Sequence, residues 1–294
     1  MPPAVPPRPP EVPAGPRVSI VVVTHNCESA LRRSIAALEA STGRERFEIL
    51  TVDAGSTDGC PRIDAEFPSV TVLRLPRNFG KTRARNIGMR TAQADLILFL
   101  DPNVEVRPGA VHALASALES REELTAAGPV LEDPSGAPIQ TAFCLPTPSE
   151  LAEASLGAAP LPRAAAPDGI AEAIDETAFM VRRNFVAGMN YLDEKRFSEH
   201  WSLLEVCWQI RNAGKKILVV STGHAVLHPD APAPSDETLY AADRVSGAAA
   251  YISKHLGFGA GISFRLKCLF SAMVSLRLRL ALSILTASRL DPTQ

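Results

Sequence analysis

The chain has 294 residues, of which 46% are hydrophobic and 21% charged, and its formal net charge is −2. That length supports one large domain or two modest ones, and the balance excludes a disordered or fibrous chain. Near-neutral charge gives no general pull toward nucleic acid, so an anionic ligand has to be held by a local arrangement.

Residues 1–16, MPPAVPPRPPEVPAGP, are proline-rich and lack an apolar run, so they read as an extended tail and not as a leader peptide. VSIVVVT (18–24) is β-branched and apolar throughout, the pattern of a strand covered on both faces. In 29–41, Leu31, Ile35 and Leu38 fall at helical spacing. Strands are expected at 47–53 and 70–75, a helix over 81–94, a strand at 95–101, and a helix over 108–120 opened by Pro108. Repeated units of this kind give an α/β fold with a mostly parallel sheet flanked by helices. Ligands of such sheets bind beyond the carboxyl ends of the strands.

Residues 146–173 are rich in Ala and Pro with weak periodicity, a loose insertion. Order returns with an expected strand at 177–183, then a helix over 197–214 stopped by Gly214, then strands at 215–221 and 225–228. A C-terminal helical extension occupies 233–294, with clear periodicity over 264–289. There Lys267, Ser271, Ser275 and Arg279 form a polar stripe, opposite Leu266, Leu269, Phe270, Met273, Leu280 and Ile284; Arg277 interrupts the apolar side. A helix packed on its own domain is the plainer reading, and a membrane-surface helix is the other. No apolar run reaches the roughly 20 residues of a membrane span. Five scattered cysteines without a Cys-x-x-Cys pair argue against a disulfide framework or zinc site and fit a reducing compartment. The domain core is thus expected over 17–232.

Four polar clusters fall where strands should end: THN (24–26), DAGSTDG (53–59), RNFGKTRARNIG (77–88) and DPN (101–103). Each alone is an ordinary turn sequence. In a parallel sheet, however, all four share one edge and can line one cleft. Asp53 and Asp58 are acceptors suited to a base or ribose. Gly80, Lys81 and Arg85 offer backbone approach and positive charge at a helix start, suited to phosphate. Asp101 would face a cation or a sugar hydroxyl. Neither Gly-x-Gly-x-x-Gly after the first strand nor a Gly-Lys-Ser/Thr loop is present, which sets aside the dinucleotide and P-loop folds.

VSIVVVTHN, VDAGSTDG, RNFGKTRARNIGM and LILFLDPNVEVRPGAV, followed in order by TAFMVRR, YLDE, RNAGKKILVV and VLH, resemble the successive motifs of family-2 glycosyltransferases, most closely the rhamnosyltransferase-like branch. The resemblance implies a GT-A fold and a nucleotide-diphosphate sugar donor. It implies that Thr24, Asn26 and Asp53 hold the nucleoside, with Ser56 and Asp58 shaping the loop. Asn78, Gly80, Arg85 and Asn86 would approach ribose and diphosphate, and Asp101 would open the Asp-x-Asp motif. Asp101, Asn103 and His228 would be the ligands of Mg²⁺ or Mn²⁺.

Two departures stand out. Asn103 replaces a carboxylate at the metal motif, so metal dependence should be weak or absent. Leu203 stands where the family has its general base, leaving Glu199, one turn earlier on the expected helix, and Glu205 as substitutes. By the same resemblance the acceptor is a glycan or lipid-linked hydroxyl in cell-envelope synthesis, and the protein is cytoplasmic, peripheral on the membrane. Two further readings stay open: a sugar-nucleotide-binding pseudoenzyme or assembly subunit, and, ranked behind, a nucleotidyltransferase, whose Gly-rich first loop THNCES lacks.

Overall fold

The computed structural model describes residues 15–164, 166, 169–229 and 237–286. Most of the expected proline-rich tail and the last residues of the C-terminal extension lie outside these. The first half runs β1 (Val18–Thr24), α1 (Glu28–Glu39), β2 (Phe47–Asp53), β3 (Val70–Arg74), α2 (Lys81–Thr91), β4 (Leu96–Leu100), β5 (Val104–Val106) and α3 (Ala110–Ser120). There follow β6 (Leu124–Glu132), the short β7 (Pro138–Ile139) and β8 (Ala142–Phe143), and α4 (Pro148–Ser155). Next come β9 (Ile170–Ala171), β10 (Ala173–Ile174), β11 (Ala178–Arg182) and α5 (Arg183–Gly188). The chain continues through α6 (Ser202–Asn212), β12 (Lys216–Leu227), α7 (Glu237–Leu256), α8 (Phe258–Val274) and α9 (Leu278–Leu285).

The main sheet has the order β3-β2-β1-β4-β11-β6-β12-β5. The first four strands are mutually parallel, with Thr24 beside Asp53, Asp53 beside Arg74, and Val22 beside Leu100. Their carboxyl ends therefore share one edge, as expected. The sheet is mostly parallel, as expected, and antiparallel pairs enter beyond β4. There β11 runs antiparallel to β4 and β6, and β12 is parallel to β6 but antiparallel to β5. The sheet is mixed.

Alternating residues of each central strand face opposite layers. Val21, Val52, Phe99 and Phe179 pack under α2, α6 and α7, while Ile20, Ile49, Leu98 and Met180 pack against α1 and α3. This two-sided burial explains the unbroken apolar runs. Gly88 lets α2 lie close on the sheet, because a Cβ there would stand 2.5 Å from Val21 Cγ1.

Several boundaries differ from expectation. The stretch 146–173 is not all loose: Thr147 and Glu150 form a reciprocal cap at the start of α4, with Pro148 in its first turn. The helix expected over 197–214 begins only at Ser202, after Trp201 turns into left-handed backbone at φ 71°. Glu199 thus precedes the helix and does not share a face with Leu203. The single helix expected over 264–289 is two, α8 and α9, broken where Leu276 adopts φ 55°.

Candidate active-site cleft

Thr24, Asn26, Asn78, Lys81, Asp101 and Asn103 line one cleft of about 450 Å³, together with Glu199, His200, Tyr240 and Arg244 from the far side. The β1 and β2 loops are tied to each other. The Asn26 N–H donates to Ser56 Oγ at 2.9 Å, and Asn26 Oδ1 accepts the Thr57 N–H at 2.8 Å. Asp58 accepts the N–H groups of Glu28 and Cys60 at 2.9 and 3.0 Å, closing the start of α1. Ser56 and Asp58 therefore shape the loop. Asp53 is buried beneath the cleft beside its lining residue Ala54. Its Oδ2 accepts the Ser56 N–H at 3.2 Å, and its Oδ1 has no partner among the described residues. The Thr24 hydroxyl points inward to Cys27 and Cys60.

The start of α2 is clamped by the segment 198–199. Gly80 adopts φ 84°, and a Cβ there would sit 2.5 Å from Ser198 Oγ, so only glycine permits the contact. The Lys81 N–H donates to Glu199 Oε2 at 2.9 Å and the Thr82 N–H to the Ser198 carbonyl at 2.9 Å. A carboxylate at a helix N-terminus is favourable on dipole grounds. Lys81 Nζ then lies 3.8 Å from both Asp101 Oδ2 and Glu199 Oε1. Burial works against its charge, but Glu176, Glu199 and Asp101 outweigh that and hold the ammonium above its ordinary pKa. Asp101 Oδ1 accepts both the backbone N–H and the side-chain amide of Asn103, at 3.0 and 2.9 Å.

Four expected residues sit elsewhere. Arg85 is buried, donates to Glu176 at 2.9 Å, and does not line the cleft. Asn86 donates to the Leu192 carbonyl and Glu194 at 2.9 and 2.7 Å and accepts the Leu192 N–H, so it anchors the 192–194 turn. The His228 imidazole turns to Glu105 at 2.9 Å, away from the cleft lining. Glu205 is buried against Lys254 and His255 of α7, and Leu203 is core. Of the two candidate bases, only Glu199 lines the cleft.

Apart from Glu199, the far wall and the charged groups behind it were not read from sequence. Glu176 is pulled down to about 2: burial alone would raise it, but Arg85 and Lys81 prevail. Burial pushes His200 down to about 3, and its Nε2 is buried without a partner among the described residues. Tyr240 and Arg244 share a face of α7 four residues apart, the one signal that could have linked them. The cleft thus offers a buried acceptor at Asp53, a fixed ammonium at Lys81, and the Glu199 carboxylate beside it.

The sheet with its parallel β3-β2-β1-β4 edge and flanking helices is a GT-A-like fold. Solved structures share it. GalNAc-T7 with UDP, GalNAc and Mn²⁺ matches with a TM-score of 0.59 and 20% identity over 87% of this chain and 55% of that one. S. aureus TarS in complex with UDP-GlcNAc matches with a TM-score of 0.59 and 15% identity over 84% of this chain and 70% of that one. The family model of glycosyl transferase family 2 matches residues 19–143. N-acetylglucosaminyl-diphospho-decaprenol L-rhamnosyltransferase of Mycobacterium tuberculosis is 30% identical over 140 residues, 44% of this chain and 45% of that protein. The chain spans less than half the length of such curated relatives.

Proposed function

We propose that the protein transfers a sugar from a nucleotide-diphosphate donor to an acceptor hydroxyl, in the synthesis of a cell-envelope polysaccharide or glycolipid. The observation that carries this is the meeting of strand-end loops from β1, β2 and β4 with Lys81 and Glu199 in one cleft. Similarity to a rhamnosyltransferase acting on a decaprenol-linked substrate supports the envelope setting and a glycan or lipid-linked acceptor. Such an acceptor would be met at the cytoplasmic face of a membrane.

In this reading Thr24, Asn26 and Asp53 surround the nucleoside, and Asn78 and Lys81 meet the diphosphate. The acceptor hydroxyl attacks the anomeric carbon, and Glu199 takes its proton. Lys81 stabilises the charge growing on the leaving diphosphate. Arg85 and Asn86 act at a distance, holding Glu176 and the 192–194 turn in place.

The GT-A class implies a divalent cation, and a hard cation wants several oxygen ligands. Here Asp101 offers one oxygen already bonded twice by Asn103 and another facing an ammonium. His228 is turned to Glu105, and among the described residues no group of three His, Cys, Asp or Glu could hold a metal. Asn103 Oδ1 is buried without a partner among the described residues, but one neutral amide oxygen beside an engaged Asp101 is a poor donor set for Mg²⁺ or Mn²⁺, and Lys81 stands in the cationic role.

The test is incubation with a panel of nucleotide sugars, with and without chelator. Transfer or donor hydrolysis that survives chelation supports the reading. Binding without turnover under any acceptor would favour a sugar-nucleotide-binding subunit, which the buried Leu203 in the family's base position motivates.

A further inference from the structure

We propose that α8 and α9 form a docking face for an anionic lipid bilayer. Among the described residues, every exposed large hydrophobic side chain lies between Leu256 and Leu285. On α8 they recur at i, i+4: Phe258, Ile262, Leu266, Phe270 and Val274. That row lies opposite the buried row of Gly261, Phe264, Cys268 and Ala272. On α9, Leu278, Leu282 and Leu285 are exposed while Leu280, Ala281 and Ile284 are buried. Each helix is therefore apolar on both sides, one packed on the protein and one uncovered among the described residues. The expected apolar face of Leu266, Leu269, Phe270, Met273, Leu280 and Ile284 is thus divided: Leu269, Leu280 and Ile284 pack on the protein, and Leu266, Phe270 and Met273 are exposed. Between the helices, Leu276 is 82% exposed at φ 55°, a backbone that non-glycine residues rarely adopt. A continuous apolar patch of this kind marks an interaction surface.

Charge selects the occupant. Residues 257–286 contain Arg265, Lys267, Arg277 and Arg279 and no Asp or Glu. A second copy of the same face would set like charges against one another. An anionic bilayer meets both properties, because its headgroups attract the basic residues and its interface accepts the apolar row. No helix of the described residues is long and apolar enough to cross a membrane, so the helices would lie on it.

The face is continuous with the cleft. A pocket of about 450 Å³ lined by Leu156, Leu276, Leu278 and Arg279 shares Glu237 and Arg244 with the candidate active site. A phosphorylated amphiphile held in the bilayer would find leucines for its chain and arginines for its phosphate on the way to Glu199. That this path delivers the acceptor rests on the transferase reading; the docking does not.

The test is co-sedimentation of the full chain with phosphatidylglycerol vesicles and with phosphatidylcholine vesicles. The expected result is binding to the first, weak binding to the second, and a decline with added salt. Phe270→Glu with Leu278→Glu should lower binding at least tenfold, and Lys267→Glu with Arg279→Glu should remove the preference for anionic lipid. Both pairs are exposed, and an unchanged melting curve verifies folding. The proposal is overturned if the chain stays in the supernatant with both vesicles or if the double glutamate binds as tightly as the wild type. It is also overturned if light scattering finds a dimer that the double glutamate dissociates. Nucleotide binding, read by calorimetry on the same samples, fails separately if the donor-site reading is wrong.

Discussion

The wall of the cleft built on β1, β2 and β4 is held by short bonds to its own backbone, whereas the wall built on residues 198–200 and α7 is held by charge. On the first wall, Asn26, Ser56, Asp58 and Asp101 accept N–H groups of their own or neighbouring loops, while the buried Asn103 Oδ1 has no partner among the described residues. On the second, Glu199 meets Lys81 while its N–H donates to Asp243, and behind it Glu176, which lines a neighbouring pocket with His200, meets Arg85. A hydrogen-bonded loop fixes shape, so its changes should show as lost affinity. A charged wall sets protonation and field, so its changes should show in turnover and pH dependence.

The sharpest break of that contrast is at Glu199. Glu199→Gln keeps an oxygen for the Lys81 N–H but cannot accept a proton, so turnover should fall roughly 100- to 10,000-fold with nucleotide affinity unchanged. Steady-state kinetics beside calorimetry separates these, and an undiminished rate removes Glu199 as the base. Next is Lys81→Met, which strips the ammonium between Asp101 and Glu199. Its kcat should fall about 100- to 1,000-fold, while chelator leaves the wild type unaffected; strong inhibition by chelator would return the cationic role to a metal. On the first wall, Asp53→Ala should weaken nucleotide binding roughly 10- to 100-fold by removing a buried charged acceptor. Unchanged affinity would dissolve the assigned pocket.

The first wall was legible because its strands and its turns announce themselves locally. VSIVVVT and LILFL are continuous apolar runs, and Asp, Asn and Gly follow each where a loop must turn. The second wall comes from tertiary packing. Glu199 reached the cleft although the helix expected to carry it starts three residues later. Arg85 and Asn86 were misplaced because nothing local tells which face of α2 lies on the sheet near Glu176 and Leu192. Strand β6 went unread because Gly128-Pro129 interrupts its apolar run, and yet it pairs with both β11 and β12. The C-terminal helices misled in the opposite way, since a helix apolar on two faces hides which face is buried.

A smaller effect is expected at Asn103, where the two walls approach. Asn103→Asp adds a second carboxylate beside Asp101 and should create a Mn²⁺ response of a few-fold, about 1 kcal/mol, measurable by metal titration of nucleotide binding. An absent response places residue 103 outside the reach of any cation in the cleft.

The smallest effect tests the charged wall without turnover. Burial holds His200 at about 3 against an ordinary 6.5, so between those values the unfolded chain binds a proton that the folded protein refuses. Its contribution to stability is present above pH 6.5 and is lost as pH falls toward 3. Glu176, held at about 2 against 4.5, contributes above pH 4.5 and loses that contribution as pH falls toward 2. The two windows are offset, so between pH 6.5 and 4.5 the imidazole acts without the carboxylate. His200→Gln should therefore flatten the melting temperature across that upper interval and make the loss between pH 4.5 and 3 shallower, with the Glu176 part of the acid limb remaining. If the variant and wild type lose stability in parallel from pH 6.5 to 4.5, burial is not keeping the imidazole neutral on that side of the cleft.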